Sequence, residues 1–217
     1  MDQRGVYNLL FAGVGGQGTL LAAEVTALAA VRAGYDVKQT EVHGVSQRGG
    51  SVETHLRYGG RVWSPTVMPG EADVVIGLEK LEALRFASFA HPERGVVLAN
   101  DYEVVPGSVA NAAEHYPHHA FDFLRDKGYR LLILPASSLA REHGDGRMAN
   151  MVLTGALSTL LSIPHDVWLE TLDARIPQKY RQANLAAFAS GRKAVAGQAA
   201  HAPLAAFPAV SPRRELR

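Results

Sequence analysis

Two short stretches hold residue types whose spacing could do chemistry. The first, GVGGQG at residues 13–18, sets Gly13, Gly15 and Gly18 in the pattern G-x-G-x-x-G, with Gly16 and Gln17 inside it. Between a strand and a helix, that pattern makes a tight turn, lets a phosphate approach the backbone and aims a helix N-terminus at the anion. The second, EVHGVSQRGG at residues 41–50, places Glu41, His43, Gly44, Ser46, Gln47 and Arg48 ahead of the pair Gly49-Gly50. Arg48 offers a planar fork of donors suited to a carboxylate or a phosphate. Ser46 and Gln47 offer hydrogen bonds, and the glycine pair lets backbone come close to a ligand.

Each feature has a plainer role beside the chemical one. Glycines at 13–18 also permit close strand–helix packing, and Arg48 could equally pair with a carboxylate on a partner chain. His43 is a candidate general acid or base, because an unperturbed imidazole titrates near neutrality, although a histidine beside a turn more often serves as a hydrogen-bonded structural residue. Glu41 sits near where a dinucleotide fold keeps its ribose-binding acid, which favours a freestanding NAD-binding dehydrogenase as an alternative function. His115, His118 and His119 in HYPHH lack the spaced partners of a metal site, so no metal is expected.

These residues need elements to hold them. Residues 6–12 read as a buried strand and 16–33 as a helix stopped at Gly34; 36–41 form a second strand. Residues 51–58 alternate, Gly59-Gly60 turns and 61–63 returns, which predicts a β-hairpin near residues 51–63. Apolar strands follow at 73–77, 95–99 and 129–134, with a helix over 79–89. Strand signals stop at Ser137, and helices are expected at 148–161, 164–174 and 178–196. Leu153, Leu157 and Leu161 form a stripe that reads as core. Alternating strands and helices predict an α/β, Rossmann-like, mostly parallel open sheet with helices on both faces and a helical C-terminal part. Residues 1–197 are expected to form one domain, with 198–217 a Pro/Ala/Arg-rich tail that is mobile or docked on a partner.

Composition narrows the function. With a formal net charge of +1 and 20% charged residues over 217 positions, the chain has no basic excess to drive nucleic-acid binding. It has no cysteine, so any thiolate-ligated redox centre must belong to another chain. The N-terminus has no signal-peptide core and no stretch approaches the roughly 18 apolar residues of a membrane helix, so a cytoplasmic protein is expected.

GVGGQG followed by TEVHGVSQRGGSVETHLRYG, and later RMANMVLTGAL at residues 147–157, resembles the gamma-type domain of the 2-oxoacid:ferredoxin oxidoreductases. Within that family it is most similar to the beta-subunit branch serving indolepyruvate. The resemblance is strongest over residues 6–58 and extends over about 6–195. It implies a Rossmann-like accessory subunit, inactive alone, beside a larger alpha subunit that holds thiamine diphosphate and iron–sulfur clusters. The complex would oxidatively decarboxylate indolepyruvate or another aryl-2-oxoacid, form the acyl-coenzyme A and pass electrons to ferredoxin. The family positions fall on Gly13, Gly15, Gly16, Gln17, Gly18, Ser46, Gln47, Arg48, Gly49 and Gly50, with Asn150 a brace for the glycine loop or an interface. Which anion the second loop meets stays open: substrate carboxylate, coenzyme A or thiamine diphosphate. GDG at 144–146 resembles the start of a thiamine motif but lacks its Asn-Asn continuation.

Overall fold

The computed structural model describes residues 5–43, 49–105 and 116–199. The elements in chain order are β1 (Val6–Val14), α1 (Thr19–Arg32), β2 (Asp36–His43), β3 (Ser51–Gly59), β4 (Val74–Gly77), α2 (Lys80–Phe86) and β5 (Val96–Asn100). They continue with α3 (Ala120–Asp126), β6 (Arg130–Leu134), α4 (Ala136–Glu142), α5 (Ala149–Leu157), α6 (His165–Arg175) and α7 (Gln178–Ala199). Single 3-10 turns follow α2, at Ala87–Phe89, and precede α5, at Gly146–Met148.

The six strands form one sheet in the order β2-β3-β1-β4-β5-β6. β1, β4, β5 and β6 run parallel, and β3 alone opposes its neighbours on both sides. Strand side chains alternate between two cores, as a period of two requires. Leu9, Phe11, Val74, Ile76, Val96 and Leu98 face the core covered by α1 and α5–α7, whereas Leu10, Val75, Val97 and Ala99 face the one covered by α2 and α3. Burial on both faces explains why β4 and β5 read as unbroken apolar runs. Helices on both faces of a mostly parallel sheet match the expected architecture.

One expected element is absent. Residues 61–63 form no strand, and the partners of β3 are β2 and β1. Both edges of β3 are already hydrogen-bonded, so a returning strand has nowhere to pair. The segment after Gly60 instead crosses the sheet, sealing Val62 and Val67 beneath it, with the Val62 N–H donating to Asp36 Oδ2 at 2.9 Å. Sequence periodicity also passed over α3 and α4, each seven residues long.

The C-terminal helices close one face. Every residue of α5 from Asn150 to Leu157 is buried, including Leu153 and Leu157 of the expected core stripe. α5 and α7 cross so closely that a Cβ on Gly191 would lie 1.8 Å from the Val152 carbonyl oxygen, and one on Gly155 2.0 Å from that of Phe188. Among the described residues no helix is long and apolar enough to cross a membrane.

Candidate functional site

Chain direction changes at β1: the next two strands lie to one side of it and β4 lies to the other. A crevice outside the carboxyl ends of the strands is expected at such a switch point. A cavity of about 490 Å³ opens there. Its floor is built from strand ends, namely Val14 closing β1, Leu78 after β4, Asn100 closing β5 and Ser137 beyond β6.

One wall is the glycine loop. The Gln17 N–H donates to the Val14 carbonyl at 3.1 Å, and the Val14 N–H donates to Gln17 Oε1 at 2.8 Å, so Gln17 closes the turn with both its backbone and its side chain. Gly18 then caps α1 in the left-handed region, at φ 78°. The first turn of α1 carries no acidic residue, so its free N–H groups and the positive end of its dipole are left for an external anion. Gly15, Gly16 and Gln17 line the cavity.

Asn150 fixes this loop from the far side. It is buried on α5, its Nδ2 donates to the Gly18 carbonyl at 3.2 Å, and its Oδ1 accepts from the Met151 N–H at 2.8 Å. A Cβ on Gly18 would stand 2.3 Å from that Nδ2. Of the two roles open to Asn150 in sequence, bracing the glycine loop is the one the structure displays. Asn150→Ala should cost about 1 to 2 kcal/mol in thermal or urea unfolding, as for a buried amide whose partners are left unpaired. It should also lower the cost of Gly18→Ala, giving a coupled double-mutant cycle rather than additive losses.

The two loops picked out in sequence meet. The Gly15 N–H donates to the Gly50 carbonyl at 2.9 Å, and Gly49 lines the cavity. Ser46, Gln47 and Arg48 lie outside the described residues, as do Gly44 and the side chain of His43. Glu41 is placed elsewhere. On β2 it pairs opposite Thr54 of β3, and β3 stands between β2 and β1, setting it two strand spacings, roughly 9 to 10 Å, to the side of the glycine loop. A ribose bound at that loop is thus not offered the acid that the NAD reading required.

Residues that sequence reasoning left out complete the cavity. Asn100 is buried, its Nδ2 donates to the Leu78 carbonyl at 3.1 Å and to Ser137 Oγ at 2.9 Å, and its Oδ1 accepts from the Ser137 N–H at 3.2 Å. It stitches three strand ends into one floor, and an amide at the end of an apolar strand was its signal. Arg141 on α4 and Arg147 on the following 3-10 turn both line the cavity. Arg147 is exposed and held by Asp145, with Nε 2.8 Å and Nη2 2.6 Å from Oδ2. That hydrogen bond keeps the Asp145 carboxyl below its usual range and the Arg147 guanidinium above its own. Gly146 and Asp145 of the GDG stretch also line the cavity.

The opposite wall is residues 101–104, with Tyr102 and Val104 at the cavity. Lys80 reaches back to it, its Nζ 2.6 Å from Glu103 Oε1 and 3.2 Å from Asp101 Oδ1. Burial lowers the Lys80 ammonium, but the two carboxylates outweigh it and hold the group above its ordinary value. Glu103 is held below its own, first by Lys80 and also by His118. A depressed carboxyl adds stability that is complete above its unfolded value and lost as pH falls through the folded one. Lys80→Met should therefore cost about 1 kcal/mol at neutral pH and progressively less below about pH 4, read as thermal unfolding against pH. His118 and His119 are exposed beside Glu103 and Asp122, and His115 lies outside the described residues.

Known proteins share this arrangement of elements. The sequence profile of the family described as pyruvate ferredoxin/flavodoxin oxidoreductase matches residues 8–194. The chain is 37% identical over 195 residues to indolepyruvate oxidoreductase subunit IorB of Thermococcus kodakarensis, covering 87% of this chain and 95% of that one. It is 40% identical over 162 residues to the IorB of Archaeoglobus fulgidus, covering 74% and 80%. Among solved structures, the 2-oxoglutarate:ferredoxin oxidoreductase of Magnetococcus marinus superposes with a TM-score of 0.72 at 21% identity, over 97% of this chain and 34% of that one. None of these likenesses supports a freestanding NAD dehydrogenase. The chain belongs to the pyruvate ferredoxin/flavodoxin oxidoreductase family and is similar over most of its length to the IorB subunits of indolepyruvate oxidoreductases.

Proposed function

We propose that this chain is the small subunit of a thiamine-diphosphate- and iron–sulfur-dependent 2-oxoacid:ferredoxin oxidoreductase of the cytoplasm, acting on indolepyruvate or another aryl-2-oxoacid. Its own contribution is the cleft, which receives the phosphates of coenzyme A. One observation carries the reading: the glycine loop that leads into α1 and two arginines line one cavity at the carboxyl ends of the strands. Coenzyme A bears several phosphate charges, and donors of this kind bind phosphate through charge-assisted hydrogen bonds.

The chain has no cysteine, so the thiolates of the clusters come from the larger subunit. Thiamine diphosphate and the clusters, when bound there, supply the decarboxylation and the path of electrons to ferredoxin. What this chain does is bind and orient. The backbone of Gly13, Gly15, Gly16, Gln17 and Gly18 faces one phosphate, Arg141 and Arg147 meet another, and Gly49 and Gly50 keep the opening narrow. Ser46, Gln47 and Arg48 are proposed on their chemistry as further anion ligands, next in the chain to Gly49. Holding the thiol carrier in place converts acyl transfer into an effectively intramolecular step.

The test is to purify the chain together with its larger subunit and follow viologen reduction with indolepyruvate, pyruvate and 2-oxoisovalerate. Indolepyruvate should give the highest kcat/KM, and Gly18→Ala should raise the KM for coenzyme A at least tenfold. A preference for pyruvate or the branched acid would contradict the substrate class. A KM for coenzyme A within twofold of wild type in Gly18→Ala would contradict the cleft.

A further inference from the structure

Two buried carboxylates just behind the cavity floor have no place in the binding set above. Glu79 and Glu82 stand at the start of α2, both almost wholly buried, directly after the floor residue Leu78. We propose that Glu79 and Glu82 are positioning residues, each seating one wall of the coenzyme A cleft. The proposal rests on the reading of that cleft given above.

Glu82 serves the glycine side. Ser51 Oγ donates to its Oε2, while Arg85 Nη1 donates to its Oε1 at 2.8 Å. Ser51 follows directly on Gly50, whose carbonyl takes the Gly15 N–H. Glu82, Ser51, Gly50 and Gly15 thus form one chain of contacts from the interior to the glycine loop. Glu79 serves the opposite side. Its Oε1 accepts from the Val104 N–H at 3.1 Å and from the Tyr116 hydroxyl, while its Oε2 accepts from the Glu82 N–H at 2.9 Å and caps the helix. The Lys80 N–H adds a bond to the Tyr102 carbonyl at 2.9 Å. Both walls therefore hang on four consecutive residues.

The arrangement costs the protein something that packing alone would not require. Burial lifts the Glu82 carboxyl above its usual range against the pull of Ser51 and Arg85, with Glu79 adding to the rise. Two neighbouring carboxylates in a dry interior are unfavourable unless their hydrogen bonds are needed where they are. Here one bond ends on Ser51, next in the chain to Gly50, and another on Val104, which lines the cavity.

Ser51→Ala and Tyr116→Phe each remove one hydroxyl and loosen one wall, and Ser51→Thr keeps the hydroxyl. In the assembled enzyme, Ser51→Ala and Tyr116→Phe should each raise the KM for coenzyme A about five- to tenfold with kcat within twofold, and Ser51→Thr should restore the wild-type KM. Amide exchange should quicken at least tenfold at residues 13–18 in Ser51→Ala and at 102–104 in Tyr116→Phe, while β5 is unchanged. A KM for coenzyme A within twofold of wild type in both hydroxyl deletions overturns the proposal, as does unaltered exchange at both walls. Gly18→Ala in the same series separates the two failures. An effect of Gly18→Ala without any effect of Ser51→Ala or Tyr116→Phe removes the positioning role alone, whereas silence in all three removes the cleft reading with it.

Discussion

Arg141→Glu combined with Arg147→Glu is expected to raise the KM for coenzyme A by roughly a hundredfold or more in the assembled enzyme, with thermal stability of the chain nearly unchanged. Both guanidinium groups border the cavity, and Arg147 is 87% exposed, so the fold does not depend on it. Reversal removes two charge-assisted donors and places two carboxylates where phosphate charge should sit. The effect should shrink as salt rises, because an exposed charge is screened over about 10 Å at 0.1 M. Each arginine changed singly to alanine should give a smaller rise. Steady-state dye reduction against coenzyme A concentration, at two ionic strengths, measures it. A binding constant insensitive to both arginines and to salt would place the phosphates elsewhere.

Gly191→Val is expected to be the most damaging single substitution for stability, at more than about 4 kcal/mol. Even the β-carbon would fall 1.8 Å from the Val152 carbonyl oxygen and 2.7 Å from its carbon, so backbone must move rather than a flexible side chain. The facing helix α5 is buried along its length and cannot retreat. A domain with about 5 to 15 kcal/mol of total stability then loses much of it, and the chain should either melt at far lower temperature or fail to accumulate. Ala189→Val, at an exposed position of the same helix, supplies the control, with a loss below about 1 kcal/mol from helix propensity alone. Because α5 carries Asn150, the damage should reach the cleft as well: any Gly191 variant that survives should show a raised KM for coenzyme A.

What could be read from the chain follows from which forces are local. GVGGQG, which runs from the end of β1 to the start of α1, was legible because glycine spacing, a preceding apolar run and a following helical period are all contained in some thirty adjacent residues. Doubly buried strands were legible for the same reason. Asn150 was conspicuous because an amide inside an apolar helix needs a partner, and the Gly18 carbonyl is that partner, 132 residues away. Gly59-Gly60 misled because a glycine pair looks alike whether a strand turns back or runs on. Only the pairing of β3 with both β1 and β2 decides between those, and that pairing is a property of the whole sheet. The same inserted strand displaced Glu41. Asn100 closes β5, whereas Arg141 and Arg147 lie on the helix and the 3-10 turn that follow β6, so no local pattern unites all three. They become a site only when the parallel strands bring their carboxyl ends together.

The most direct test asks where coenzyme A lands. Hydrogen exchange of the assembled enzyme, followed by mass spectrometry with and without coenzyme A, reads both subunits at once. Protection is expected at residues 13–21 and 141–149 of this chain, with none over α6 at 165–175. Protection confined to the larger subunit, with both segments of this chain exchanging as before, would contradict the assignment of the cleft.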